Sequence, residues 1–166
     1  MNMIHYPSKG LQIGDSVIDW GTPREKVRQA LGPGFKEENS VTSFKEFLPD
    51  SEDIIVRKDY YQNFQKSSTW FTFSYTEDDL LEECEIHQTE FEVKVKNIVI
   101  SFHKDFFKVV EKLKVQNENL ILLDSEDALL EDYKTSFSSQ EHNGGDGQNI
   151  GYIYFSTNIE HLTKNL

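Results

Sequence analysis

The chain predicts an α+β fold: antiparallel sheet with short helices packed on one face. Three observations carry this. From Ser68 to Gln88 the side chains alternate in character. Trp70, Thr72 and Ser74 fall to one side, and Phe71, Phe73 and Tyr75 to the other, as a strand's period of two requires. After a polar turn at residues 76–79, Leu80, Cys84 and Ile86 share one face, and Leu81, Glu83, Glu85 and His87 the other. One greasy and one largely acidic face suit a sheet covered on one side. Second, twelve Phe, seven Tyr and two Trp bring the aromatic content to 13%, which favours sheet and argues against disorder. Third, two short segments carry helical spacing between the strands.

The elements follow in order. Residues 1–10 read as a loose leader or a first edge strand. Leu11, Ile13, Val17, Ile18 and Trp20 are strand-like, broken at Gly14-Asp15. Thr22-Pro23-Arg24-Glu25 is a helix start, with Thr22 as N-cap, Pro23 in the first helical position and Glu25 closing a capping box. Val27, Ala30 and Leu31 form its apolar stripe, and Gly32-Pro33-Gly34 ends it. Residues 35–49 read as a loop or short strand, and residues 50–64 as an acidic turn followed by a strand. Phe91, Val93 and Val95 alternate, and a turn leads to a strand over residues 98–102. A second helix covers residues 105–115, burying Phe106, Val109, Val110 and Leu113. The segment Ala128 to Tyr133 reads as either a helical turn or a strand, and residues 140–149 as a flexible hairpin connection.

At 166 residues the chain is expected to form one compact unit. Within it, an offset of about 82 residues lays Ile18, Trp20, Val27 and Leu31 over Ile100, Phe102, Val109 and Leu113. The same offset lays Trp70 to Phe73 over Tyr152 to Phe155. An offset of about 74 matches the two DSED runs, at residues 50–53 and 124–127, and Asp59-Tyr60 with Asp132-Tyr133. This suggests two tandem α/β units, about 11–90 and 91–166; chance alignment of apolar residues is the competing account.

Lys and Arg number 17 against 29 Asp and Glu, a formal charge of −12. Such a surface repels nucleic acid and anionic membrane and attracts a basic protein, although acidity also serves solubility alone. The single cysteine, Cys84, excludes an intrachain disulfide and reads as a small core residue. The N-terminus lacks an apolar signal region and no apolar run approaches a membrane span, so a cytoplasmic protein is expected.

Chemical motifs are sparse. Glu83 and Glu85 could serve acid–base work, bind a cation or form a solvated acidic face. The five histidines are scattered without metal-ligand spacing, and neither a nucleophile elbow nor a phosphate loop occurs. No catalytic residue, metal site or cofactor is therefore expected.

The run Asp19-Trp20-Gly21-Thr22-Pro23-Arg24-Glu25-Lys26-Val27, its closing Leu31-Gly32 and the strands after it resemble one unit of the tandem-repeat β-lactamase inhibitor protein and lipoprotein SmpA group. That resemblance implies a sheet whose concave face could grip another protein. The chain departs from it in lacking disulfide cysteines and a secretion signal. Its small, acidic, aromatic-rich character is also similar to that of bacterial immunity proteins, which neutralise toxins in the cytoplasm.

The expectation is a protein-binding module of the immunity-inhibitor type with a basic protein partner, not an enzyme. Trp70, Tyr75 and Tyr154 are the candidate aromatic anchors, and Glu83 and Glu85 the steering charges. For Trp70, packing under a loop or helix competes with anchoring. The alternatives to the whole reading are a small hydrolase-like enzyme with a non-local site, or a housekeeping structural subunit.

Overall fold

Alternation and helix signals resolve into thirteen strands and three short helices in the computed structural model, which describes residues 3–95, 97–116 and 118–164. Five strands form one sheet. They are β1 (Met3–Tyr6), β2 (Gly10–Ile13), β3 (Ser16–Asp19), β8 (Val93–Val95) and β9 (Ile98–Ile100), in the order β3-β2-β1-β8-β9. The other eight form the second sheet: β4 (Phe35–Thr42), β5 (Ile54–Tyr61), β6 (Trp70–Tyr75), β7 (Leu81–Gln88), β10 (Leu120–Leu122), β11 (Asp127–Leu130), β12 (Thr135–Ser139) and β13 (Ile150–Ser156). Its order is β10-β11-β12-β13-β7-β6-β5-β4, antiparallel throughout. The helices are α1 (Arg24–Leu31), α2 (Phe106–Val115) and α3 (Glu160–Thr163). No helix among the described residues is long and apolar enough to cross a membrane.

The core lies between the five-stranded sheet with α1 and α2 on one side and the inner face of the eight-stranded sheet on the other. Phe71, Phe73, Cys84, Ile86, Phe137, Ile153 and Phe155 supply that inner face, and Leu11, Ile13, Val27, Val95, Ile100 and Phe106 meet it in a single buried cluster. His5 of β1 stacks on Phe155 at 4.4 Å, and Phe106 of α2 lies 5.6 Å from Phe137, so both opposing layers touch the large sheet. Cys84 is fully buried and burial pushes its thiol up, as a core cysteine requires.

Several local expectations are corrected. Residues 3–6 are an interior strand, because β8 pairs with β1 in parallel from far along the chain. Helix α1 starts at Arg24 with Pro23 in the cap position, and no side chain caps it. Its N-terminus is instead held by the β6–β7 turn, where Arg24 N donates to the Asp79 carbonyl and Leu81 N to that of Thr22. Ala30 is exposed, and the inward stripe is buried Arg24 and Val27 with half-buried Arg28 and Leu31. Leu81 faces the core beside Cys84 because a bulge between Ser74 and Tyr75 shifts the register of the hairpin. Residues 128–133 are both things expected: strand to Leu130, then a 3₁₀ turn over Glu131–Tyr133.

Both halves run hairpin, helix, four-stranded meander, with α1 and α2 starting 82 residues apart. Each helix start is tied to the last hairpin of its half: Pro23 bridges Leu80, and Asp105 bridges Asn149. The correspondence is one of topology. The 82-residue offset matches β3 with β9 and α1 with α2, but it lays β6 over β13, whose place in the second half matches β7. Likewise Asp59-Tyr60 lies in β5, whereas Asp132-Tyr133 lies in a 3₁₀ turn. The meanders differ too much in length for one offset to serve.

Candidate functional site: a projecting hairpin and its ionic root

Strand β5 carries one carboxylate into the core. Asp59 is fully buried on the same side as Tyr61, between the sheet and α1. Two arginines of the α1 stripe meet it. Arg24 donates from Nη2 to Oδ1 at 2.7 Å; Arg28 donates from Nη2 to Oδ1 at 2.8 Å and from Nε to Oδ2 at 2.9 Å. The Tyr75 hydroxyl donates to Oδ2 at 3.2 Å, and the Arg24 guanidinium lies 4.9 Å from the centre of its ring. Burial alone would raise the Asp59 carboxyl, but the hydrogen bonds from Arg28 and Arg24 outweigh it and hold it below the usual carboxylate range. Burial raises the Tyr75 hydroxyl, so the phenol stays neutral.

The network reaches outward along β4 and β5. Arg24 Nη1 donates to Asn39 Oδ1 at 2.6 Å, and Arg28 pairs with Glu37 at 2.9 Å. Arg57 and Arg24 both lie 3.4 Å from Asp79. This cluster fastens α1, the β6–β7 turn and the base of the β4–β5 hairpin to one another.

Beyond that base the hairpin leaves the sheet. Strands β4 and β5 pair over eight residues each, from Phe35 with Tyr61 to Thr42 with Ile54. Strand β6 pairs with β5 only at Lys58 to Tyr61. Residues 39–42 and 54–57 thus have only each other as ladder partners and project as an arm. At its tip, Phe47 N and Leu48 N donate to the Phe44 carbonyl, Ser51 N donates to Leu48, and Lys45 pairs with Asp53 at 2.8 Å. These turns order the tip with its apolar side chains outward: Phe47 is 78% exposed, Leu48 62% and Val41 66%, with Phe44 and Ile54 also exposed. Among residues 43–53 one lysine stands against four carboxylates. An exposed apolar cluster of this kind, rimmed by charge, is the usual mark of a contact surface.

The residues expected at the site are divided between two places. Glu83, Glu85, Tyr154 and Trp70 lie on the outer face of the eight-stranded sheet, as the alternation implied. Their polar groups are largely engaged there. Glu85 accepts from Lys58 Nζ at 2.7 Å and from the Tyr152 hydroxyl at 3.1 Å, and Glu83 accepts from the Tyr154 hydroxyl. Tyr154 is nearly buried and touches His161 of α3 edge-on. Trp70 stacks on His87 with ring centres 4.4 Å apart. Tyr75 is on the opposite, inner face, 6% exposed, and belongs to the ionic root rather than to a surface.

Sequence reasoning missed Asp59, Arg24, Arg28 and the tip residues Phe44, Phe47 and Leu48. A signal existed for the first three. Arg24 and Arg28 occupy two of the four stripe positions of α1, and Asp59 stands on the same side of β5 as Ile55 and Tyr61. Among the described residues no three His, Cys, Asp or Glu side chains are placed to hold a metal ion. No known family, curated protein or solved structure matches the chain.

Proposed function

We propose that this protein is a protein-binding module of the immunity-inhibitor type, which engages a basic protein through the β4–β5 arm. The observation that carries the reading is the arm itself: a hairpin extended past its sheet, with five large apolar side chains exposed along its outer part. Ordering such a tip in water gains nothing for the fold, whereas burying it in a partner's apolar recess gains about 25 cal/mol per Å² covered. The acids of the tip and the net charge of −12 favour a recess rimmed by lysine and arginine. Glu83 and Glu85, already engaged on the sheet face, assist by steering rather than by direct pairing.

The test is affinity purification of the wild type and of Phe47→Asp/Leu48→Asp, followed by mass spectrometry and by binding assay with the recovered partner. One basic protein in stoichiometric amount with the wild type, lost with the variant at unchanged thermal stability, is the expected result. Equal binding of that partner by both chains would remove the arm from the account.

A further inference from the structure

At the opposite end of β6 from the arm lies a cleft of about 990 Å³, where the ends of β6, β7 and β13 meet the β12–β13 connection and the β9–α2 connection. This volume is at the upper end of the range for ligand sites. Its lining is aromatic and amide-rich. The Trp70 indole and the His87 imidazole stack at an interplanar angle of 28°, and the Tyr152 ring centre is 5.5 Å from that of His87. His87 Nε2 is 3.1 Å from the Thr72 hydroxyl, which sets the ring's orientation. Burial lowers the His87 imidazole, so it stays neutral near pH 7.

Glu90 and Asp146 line the cleft together with His87 and His103, and no lysine or arginine does. Glu90 is fixed by the Ser68 amide, which donates to Oε1 at 3.2 Å. The wall that carries Asp146 is also held. Gln140 N donates to the Asn149 carbonyl and Gly145 N to that of Gln140, and the Asn143 amide donates to Ser138 and Ser139. Gly151 is needed there, since a Cβ would stand 2.6 Å from the Gln140 Cα. The connection expected to be flexible is a set of hydrogen-bonded turns against the sheet.

We infer that this cleft receives an arginine side chain presented on a polypeptide. A planar cation stacks on an indole better than on any other ring, and two carboxylates at the rim supply charge-assisted acceptors. Trp70 Nε1 is buried and has no hydrogen-bond partner among the described residues. A peptide carries amide and apolar surface as well as the cation, so it answers both the charge of the cleft and its aromatic, amide-rich lining. A lone cation leaves most of the volume unfilled. Because the cleft and the arm lie at opposite ends of β6, this inference does not depend on the arm.

The test uses ¹⁵N-labelled protein and N-acetyl-arginine N-methylamide, with the norleucine analogue, free arginine and glucose as comparisons. The Trp70 indole N–H resonance reports the cleft, and that of Trp20, half-buried against His5 and outside the cleft lining, is the internal control. The expected result is a saturable, salt-sensitive shift of Trp70 alone by the arginine amide. Free arginine, whose carboxylate is repelled by Glu90 and Asp146, binds more weakly. Glu90→Gln/Asp146→Asn, isosteric changes at two exposed positions, weakens the amide by roughly tenfold. The inference is overturned by an equal shift from the norleucine analogue, by tighter binding of free arginine or glucose, or by no shift up to the solubility limit of the amide. Partner capture by the arm is read separately, so failure of either leaves the other standing.

Discussion

The two outer ends of the eight-stranded sheet hold the same place in the two halves of the chain and are built in opposite ways. At one end β4 and β5 run eight residues each and extend past the sheet. At the other β10 and β11 have three and four residues and stop where the core stops. Each end has a buried or half-buried aspartate on its second strand. Asp59 is gripped by two arginines and lies below the usual carboxylate range; at Asp127 burial outweighs the nearby His142 and pushes it up to about 6. The short end leaves its aspartate to bear the cost of burial. The long end places an ionic cluster under a hairpin whose outer part supports no core. A carboxylate that only closed the sheet would not need two arginines. One that fixes the direction of a lever does, because a small change of angle at the root is multiplied at the tip.

The largest expected effect follows from this contrast. Asp59→Asn removes the buried counter-charge of Arg24 and of half-buried Arg28, leaving them the partly exposed Glu37 and Asp79, and should destabilise the protein by about 3 kcal/mol in urea unfolding, the low end for breaking one side of a buried pair. The contribution of Asp59 is present at neutral pH, because its folded value is depressed, and is lost as pH falls through that value. The variant should therefore differ least from wild type in strong acid.

His5, between the two sheets, sharpens the comparison by supplying an acid sensitivity that belongs to neither end. It is fully buried against Phe155, with Nδ1 3.1 Å from the Thr135 hydroxyl, and burial lowers it to about 3. A depressed histidine favours the fold above its unfolded value of 6.5 and loses that advantage as pH falls toward 3. Between pH 6.5 and 4.5 it should cost up to about 2.5 kcal/mol, and His5→Asn should flatten that slope in equilibrium unfolding.

Asp127 should behave in the opposite sense and on a smaller scale. Its folded value is raised, so its stabilising effect is complete below the unfolded value near 3.8 and is lost as pH rises through about 6. Asp127→Asn should raise the midpoint of thermal unfolding at pH 8, and the gain should shrink toward pH 5. A gain of equal size at both values would break the proposed contrast between the two aspartates.

Much of this was legible in the residues, and the omissions have physical causes. The β6–β7 hairpin, its apolar and acidic faces, both longer helices and the buried Cys84 follow from alternation and spacing, because local periodicity reports which side of an element faces the core. Leu81 was assigned to the wrong face because a bulge adds a residue without a mark in the pattern. Residues 1–10 read as a loose leader or a first edge strand because the parallel pairing of residues 3–5 with Val93–Val95 is non-local. Arg24 and Arg28 were passed over because a stripe is sought in apolar residues, and an arginine enters one only when a carboxylate such as Asp59 arrives from elsewhere. The arm was hidden for the converse reason: Phe44, Phe47 and Leu48 look like core, and only the three-dimensional ladder shows that nothing covers them.

The central claim is that the outer arm is dispensable for folding and necessary for binding. Asn39 and Arg57 face each other across the hairpin, so residues 40–56 can be replaced by an Asn-Gly turn that keeps the ionic root intact. The decisive measurement compares this shortened chain with wild type in urea unfolding and in binding to the recovered partner. The account predicts stability within about 1 kcal/mol of wild type, since almost no core is removed, together with loss of partner binding. A shortened chain that unfolds several kcal/mol more easily, or that binds the partner undiminished, would contradict it.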